Sequence, residues 1–153
     1  MLRIVVSVTL CAIALAAPAE AYASAAAYEA CSANAEDKRA LRQCNTFRTE
    51  VAECNERRAD GLDGPAECLG EKVEAWRSVM ESEEARAAVA GIEPEIDLDA
   101  WTSRTFGRCR DAEQIRLSTE RFGAPHAAFE ALSCELRAII RRTLQRTQDL
   151  KGL

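Results

Sequence analysis

The residues best suited to chemistry in this 153-residue chain are its seven cysteines. Cys11 lies inside an apolar N-terminal run that we expect to be removed. The other cysteines are Cys31, Cys44, Cys54, Cys68, Cys109 and Cys134. An even number of cysteines in a short exported chain is typical of a disulfide framework. No two of them form a Cys-x-x-Cys pair, and His126 is the only histidine, so the pattern does not favour zinc. We therefore predict three disulfides and no metal site.

Other side chains that could take part in catalysis lack the partner groups and motifs that catalysis requires. His126 follows Pro125 at a predicted helix start, with no motif around it, and we interpret it as a surface histidine. Glu81, Glu83 and Glu84 are interpreted as a solvated helix face rather than an acid–base pair, a distinction that burial decides. Phosphate-loop, nucleophile-elbow and zinc-protease motifs do not occur in the sequence. We predict no catalytic residue and no cofactor.

Arginine dominates the positive charge of the chain. Lys and Arg total 20 against 25 acidic residues, giving a net charge of −5, and the basic residues are scattered among the acids. This distribution argues against a nucleic-acid partner, which would require a basic stripe. Four arginines near the C-terminus, Arg137, Arg141, Arg142 and Arg146, could bind an anionic lipid or polymer. We interpret them instead as the water-facing side of an amphipathic helix.

The N-terminus has the order of a secretory signal peptide. Arg3 precedes an apolar run of about fourteen residues, and small-residue triplets suited to cleavage follow Pro18. The run is shorter than the roughly 20 residues that span a bilayer, so we expect no stable membrane insertion after cleavage. We predict a signal peptide at 1–23 and a single periplasmic or secreted domain at 24–153.

Apolar periodicity in the mature chain predicts an all-α bundle of about four helices. An N-terminal helix is expected within 31–60, and a second at 65–90 with Leu69, Val73, Trp76 and Met80 on one face. A C-terminal helical hairpin is expected over 99–150. Its first arm is capped by Asp97 or Asp99 and runs to about Arg121, and its second arm starts near Pro125 after a stop at Gly123. We expect Trp76 and Trp101 to lie in the core.

The spacing of the cysteines favours one pairing without excluding others. Six cysteines allow fifteen connectivities. Sequential pairing, Cys31–Cys44, Cys54–Cys68 and Cys109–Cys134, would let each bridge span a turn or a folded-back end. The nested alternative, Cys31–Cys68 with Cys44–Cys54, needs a sharp turn where the helical pattern is continuous. Each bridge would contribute roughly 3 kcal/mol in the chain-entropy model.

From Cys54 to Leu150 the chain resembles the exported domain family named for the lysozyme inhibitor LprI. The resemblance rests on Trp101 with Cys109 eight residues later, a turn at Gly123, Cys134, and Arg142 in an arginine-rich last helix. Thr105-Phe106 departs from the Arg-Asp pair usual in that family. The resemblance implies a small, secreted, disulfide-tied helical domain.

Export, acidity and this resemblance lead us to expect a binding protein that blocks lysozyme or another cell-wall hydrolase. Lysozymes are commonly basic, so an acidic partner gains mainly in association rate. A loop would have to occupy the hydrolase cleft, and 61–64 and 91–98 are the candidate loops. The alternatives are a periplasmic structural or protein-interaction module with no hydrolase target, and a small enzyme or metal carrier that depends on His126.

Overall fold

The structure, a computed structural model, describes residues 19–57, 63–92 and 97–153. Within these ranges it contains seven α-helices and no strand, which confirms the all-α prediction. The helices are α1 (Ala19–Asn34), α2 (Lys38–Gln43), α3 (Phe47–Glu56), α4 (Gly64–Val89), α5 (Leu98–Cys109), α6 (Ala112–Phe122) and α7 (Ala124–Lys151). The predicted signal peptide lies mainly outside the described residues.

The two longest helices, α4 and α7, form the central pair of the bundle, and shorter helices pack around them. Large apolar side chains at the centre are Leu69, Val73, Trp76, Met80, Leu136, Ile139 and Ile140. Trp101 of α5 is half-buried and packs against this cluster. Trp76 therefore lies in the core, as predicted, whereas Trp101 packs against the core and stays partly exposed.

The prediction of one N-terminal helix over 31–60 is wrong, because the described part of this range, 31–57, contains the end of α1, then α2 and α3. Two side chains offer local hydrogen bonds that start new helices. The Asp37 carboxylate accepts a hydrogen bond from the Ala40 N–H and caps α2. The Asn45 side chain accepts one from the N–H of Phe47, where α3 begins. A stretch free of Gly and Pro is thus interrupted by short polar side chains.

The first arm of the predicted C-terminal hairpin, from Asp97 or Asp99 to about Arg121, is also two helices, α5 and α6. Asp97 caps α5 as predicted, because its carboxylate accepts two backbone N–H groups of the first turn. Asp111 makes the same pair of bonds at the start of α6. This second cap begins a new helix just after Arg110 and separates α5 from α6.

The boundaries of α4 and α7 differ from the predicted ones by a single residue at each end. Gly123 separates α6 from α7, and Pro125 lies in the first turn of α7. The φ angle of Gly123 is +91°, a conformation that side-chain-bearing residues rarely adopt. Glycine and proline therefore gave correct helix limits here.

Three disulfides hold these helices in place, and they pair sequentially, as favoured from the spacing. Their Cα–Cα separations are 5.7 Å for Cys31–Cys44, 5.4 Å for Cys54–Cys68 and 5.6 Å for Cys109–Cys134. The second bridge is buried and ties α3 to the start of α4. The third ties α5 to α7 across the intervening α6, so it does not join two consecutive arms of a hairpin.

Candidate functional site

The four arginines of α7 form two pairs on different sides of the helix. Arg142 and Arg146 are buried, at 5% and 2% exposure, whereas Arg137 and Arg141 are exposed. At about 100° per residue, the two pairs are about 140° apart around the helix axis. The interpretation of all four as water-facing is therefore wrong for Arg142 and Arg146.

Glu84 of α4 binds both buried arginines. Its Oε1 accepts a hydrogen bond from Nε of Arg142 at 2.8 Å, and its Oε2 accepts one from Nε of Arg146 at 2.8 Å. The Glu84 side chain is only 12% exposed, so water screens these ion pairs weakly. Asp149 adds a carboxylate 3.6 Å from Arg146. This ionic cluster joins the two central helices.

Glu83 belongs to a second buried group beside the first. Its carboxylate lies 2.7 Å from Arg86 and accepts a hydrogen bond from the Thr147 hydroxyl at 3.2 Å. The Tyr28 hydroxyl lies 2.6 Å from Thr147 Oγ1, and burial raises the pKa of Tyr28 to about 12. The solvated-face interpretation is thus wrong for Glu83 and Glu84, although Glu81 is exposed.

A third buried ionic group connects α3 with α4. Glu50 is 1% exposed and lies 2.7 Å from Nζ of Lys72, and it also accepts a hydrogen bond from the Trp76 indole. Burial lowers the pKa of Lys72, but the bonds and charges of Glu50 and Glu53 outweigh it and raise the pKa above its ordinary value. These buried ions are paired between helices, and we interpret them as structural.

A groove of about 720 Å³ lies between the N-terminal helices α2 and α3 and the exposed side of α7. Its lining includes the four arginines Arg42, Arg48, Arg137 and Arg141. None of these four forms an ion pair with another residue of the described ranges. Among the described residues of the lining, Asp149 is the only carboxylate, and it already lies near Arg146. The groove therefore carries excess positive charge in a chain of net charge −5.

One arginine of the groove is held in place by an aromatic ring. The Arg137 guanidinium lies 4.7 Å from the centroid of the Phe47 ring, and Leu144 contributes the other apolar part of the lining. Asn45 accepts a hydrogen bond through its side-chain oxygen, which leaves its two N–H donors for other partners. Gln145 is also exposed and lines the same groove. The groove thus combines fixed positive charge with amide groups.

The exposed side of α4 carries the opposite charge. Glu67, Glu71, Glu74 and Glu81 are all exposed, and helical geometry places them within a sector of about 80° along about 21 Å. We call these four residues the acidic strip. Arg77 lies 3.2 Å from Glu74 and neutralises part of it. The strip thus presents four exposed carboxylates along one side of a central helix.

His126 lies near a serine and a carboxylate, but in the wrong order for nucleophilic catalysis. Its Nε2 is 3.3 Å from Glu130, and the Ser118 hydroxyl donates to Glu130 at 2.6 Å. A catalytic triad requires the imidazole between the hydroxyl and the carboxylate, whereas here the carboxylate is in the middle. Phe122 packs on the imidazole at 4.8 Å. This cluster connects α6 to α7.

The remaining predicted site residues have structural positions. Trp101 packs against the core, Gly123 joins α6 to α7, and Arg142 pairs with Glu84. The candidate loops 61–64 and 91–98 include residues 61–62 and 93–96, which lie outside the described residues. Sequence reasoning missed the groove, because its arginines come from distant parts of the chain. The spacing of four between Arg137 and Arg141 was the one local signal.

No protein-family model, curated protein or solved structure matches this chain. The resemblance to the LprI domain family therefore stays a prediction. Among the described residues, no helix has the length and apolar character to cross a membrane. The same residues contain no group of three or more His, Cys, Asp or Glu side chains arranged to hold a metal ion.

Proposed function

We propose that this protein is a binding module that acts by docking, without catalysis, in an oxidising compartment outside the cytoplasm. The observation that carries the proposal is the acidic strip, four exposed carboxylates in order on α4. The opposite face of α4 is buried in the core, and Cys68 ties its N-terminal end to α3. A surface that is already rigid loses little conformational entropy when it binds.

The partner that fits this strip is a basic protein, and we propose lysozyme or another cell-wall hydrolase. Complementary charge raises the association rate and loses its effect as salt screens it. The resemblance to the LprI domain family supports the same target. Docking would prevent hydrolysis by covering the cleft in which two carboxylates cleave the glycan.

A turbidity assay of cell-wall lysis tests this function with the mature, oxidised protein. We expect wild-type protein to slow lysis, most strongly at low salt. A strip variant with Gln at the four positions should slow lysis less. The matched control removes the same number of exposed glutamates elsewhere: Glu29→Gln, Glu36→Gln, Glu113→Gln and Glu120→Gln. In both sets one glutamate has a helical arginine partner, Arg77 for Glu74 and Arg116 for Glu120.

The control variant should inhibit as well as wild type. If excess wild-type protein leaves lysis by several lysozyme classes unslowed, the hydrolase target is refuted. Equal inhibition by the strip and control variants would refute the strip as the docking surface.

A protein-interaction module with no hydrolase target is the second candidate. It is favoured by α6, where Leu117 and Phe122 are 52% and 55% exposed. Exposed apolar side chains of this size are available as contacts for a partner protein. Co-purification from the envelope tests it, with Leu117→Ser and Phe122→Ser in one variant. A specific partner that is not a hydrolase, and that the variant loses, would support this candidate.

The proposed compartment rests on the three disulfides, since such bridges persist in oxidising surroundings. Non-reducing peptide mapping of the protein recovered from the producing cell tests it. We expect the three sequential cross-links. Free thiols at these six cysteines would contradict the compartment.

A further inference from the structure

The basic groove takes no part in the docking proposed above, and its chemistry suits a different ligand. We infer that the groove between α2, α3 and α7 is a binding site for an acidic oligosaccharide. The sugar carboxylates pair with the arginines of the groove, and the hydroxyls bond to the amides of Asn45 and Gln145.

The charge of the groove indicates an anion. Among the described residues, four arginines without an ion-pair partner line the groove, and Asp149 is the single acid of the lining. Arg142 and Arg146, on the same helix, have an internal carboxylate in Glu84. A groove of one charge sign raises the local concentration of the opposite ion. The described residues do not supply the anion that would complete this site, and an external anion fits it.

The arginines favour a carboxylate held in a defined geometry. A guanidinium binds a carboxylate through two parallel N–H bonds. The face of Arg137 lies over the Phe47 ring, and its N–H donors, which lie in the guanidinium plane, remain available. This stacking restricts the side chain before the ligand arrives, so less conformational entropy is lost on binding.

The amides extend recognition to hydroxyl groups. A side-chain amide supplies both donors and an acceptor, which matches a hydroxyl that also donates and accepts. Asn45 and Gln145 stand in the same lining as the arginines. The volume of about 720 Å³ lies within the range of small-ligand sites. A short chain of sugar acids combines the required carboxylates and hydroxyls.

Peptides and nucleic acids fit the groove less well. Among the described residues there is no strand edge to pair with an extended peptide, and an amphipathic helix needs a longer apolar surface than Phe47 and Leu144 provide. Single-stranded nucleic acid needs open aromatic faces for its bases. The aromatic side chain of this groove is Phe47, and Arg137 lies over it.

Isothermal titration calorimetry on the mature, oxidised protein tests the inference with a galacturonic acid hexamer. The comparison ligands are maltohexaose, which is neutral, a hexaglutamate peptide, which carries similar charge, and inorganic phosphate. We expect the uronate hexamer to bind, with affinity that falls as salt rises. Maltohexaose should not bind, because it has no carboxylate. The peptide lacks the sugar hydroxyls, and phosphate lacks both the hydroxyls and the multiple carboxylates. Each should therefore bind at least about tenfold more weakly than the uronate.

The variants locate the binding. Arg137→Ala with Arg141→Ala should lower affinity for the uronate by about tenfold or more, because charge-assisted bonds are lost. The matched control is Arg104→Ala with Arg108→Ala, which removes two exposed arginines at the same spacing from α5. It should bind like wild type. Gln145→Ala should weaken the uronate a few-fold and leave phosphate binding unchanged.

Three results would overturn the inference: no binding of the uronate, equal binding of the glutamate peptide, or equal losses in the groove and control variants. If circular dichroism shows the double groove variant unfolded, Arg141→Gln and Gln145→Ala decide the question. Groove variants should still slow lysis, and strip variants should still bind the uronate. Failure of one proposal is therefore distinguishable from failure of the other.

Discussion

The two arginine pairs of α7 have the same residue type and the same spacing but opposite surroundings. Arg142 and Arg146 face α4, where Glu84 binds both. Arg137 and Arg141 face the short N-terminal helices, which add Arg42 and Arg48 instead of acids. The helix that faces each pair therefore decides the role of its charged side chains. A facing acid makes it structural, and a facing base leaves it available to a ligand.

The energetic consequences of the two arrangements differ in the same way. Removing an ion from water costs several kcal/mol, so a buried arginine is stable only beside a good partner. An exposed arginine stays hydrated and contributes little to stability. We therefore expect stability to depend on the Arg142–Arg146 side of α7 and ligand binding to depend on the Arg137–Arg141 side.

The largest expected effect comes from removing the shared carboxylate of the buried side. Glu84→Ala should lower the free energy of unfolding by about 3–5 kcal/mol, because two buried guanidinium groups lose their main counter-charge. Urea denaturation of the oxidised protein measures the change. Glu81→Ala, an exposed glutamate three positions earlier on the same helix, should change it by less than about 0.5 kcal/mol.

Similar losses for Glu84→Ala and Glu81→Ala would refute the structural role of the buried cluster. A large loss of stability in Glu84→Ala alone would show that the buried side of α7 is structural, without reference to any ligand.

The next effect concerns Tyr28, which bonds to Thr147 on the buried side of the bundle. Burial raises its pKa from 10.0 to about 12, so the folded state keeps the proton more strongly than the unfolded state. The contribution is complete below pH 10 and disappears as pH rises through about 12. It amounts to about 2–3 kcal/mol for this shift. Stability should therefore fall across this window.

Urea denaturation at a series of alkaline pH values measures this fall, and Tyr28→Phe should reduce its slope. Arginine keeps its charge in the same window, so the Glu84 cluster does not contribute. The pKa of Lys72 is also raised, so Lys72 contributes to the fall in unfolding free energy with pH that remains in Tyr28→Phe. An unchanged slope in Tyr28→Phe would refute the assignment.

The sequence was informative about the parts of the fold that depend on local signals. Long apolar stripes bounded by Gly or Pro placed α4 and α7 to within one residue at each end. Asp37 and Asp111 were overlooked as helix starts, because each lies in a polar stretch without Gly or Pro. Aspartate is a favoured N-cap residue, so the signal was present in the sequence. The apolar periodicity continued across both positions and favoured an unbroken helix instead.

The charged residues that were wrongly predicted to face water show a second limit of prediction from the sequence. Arg146 lies about 20° from Ile139 around the axis of α7, and Glu83 lies about 20° from Trp76 around α4, so both occupy the apolar stripes. Their charge predicted exposure to water, whereas their positions on the helices place them on the buried face. Burial of each depends on a partner in another element, which a single sequence does not identify. The groove is non-local in the same sense, because Arg42 and Arg141 come from opposite ends of the domain.

The smallest expected effect belongs to the exposed pair. Arg137→Ala with Arg141→Ala should lower the free energy of unfolding by no more than about 1 kcal/mol, most of it from the stacking of Arg137 on Phe47. The same urea measurement checks it, with Arg104→Ala and Arg108→Ala as control. A loss comparable to that of Glu84→Ala would show that both sides of α7 are structural. In that case, reduced glycan binding by the groove variant would reflect a damaged fold rather than a lost contact. Only if the stability change is small can the loss of binding be assigned to the two arginines.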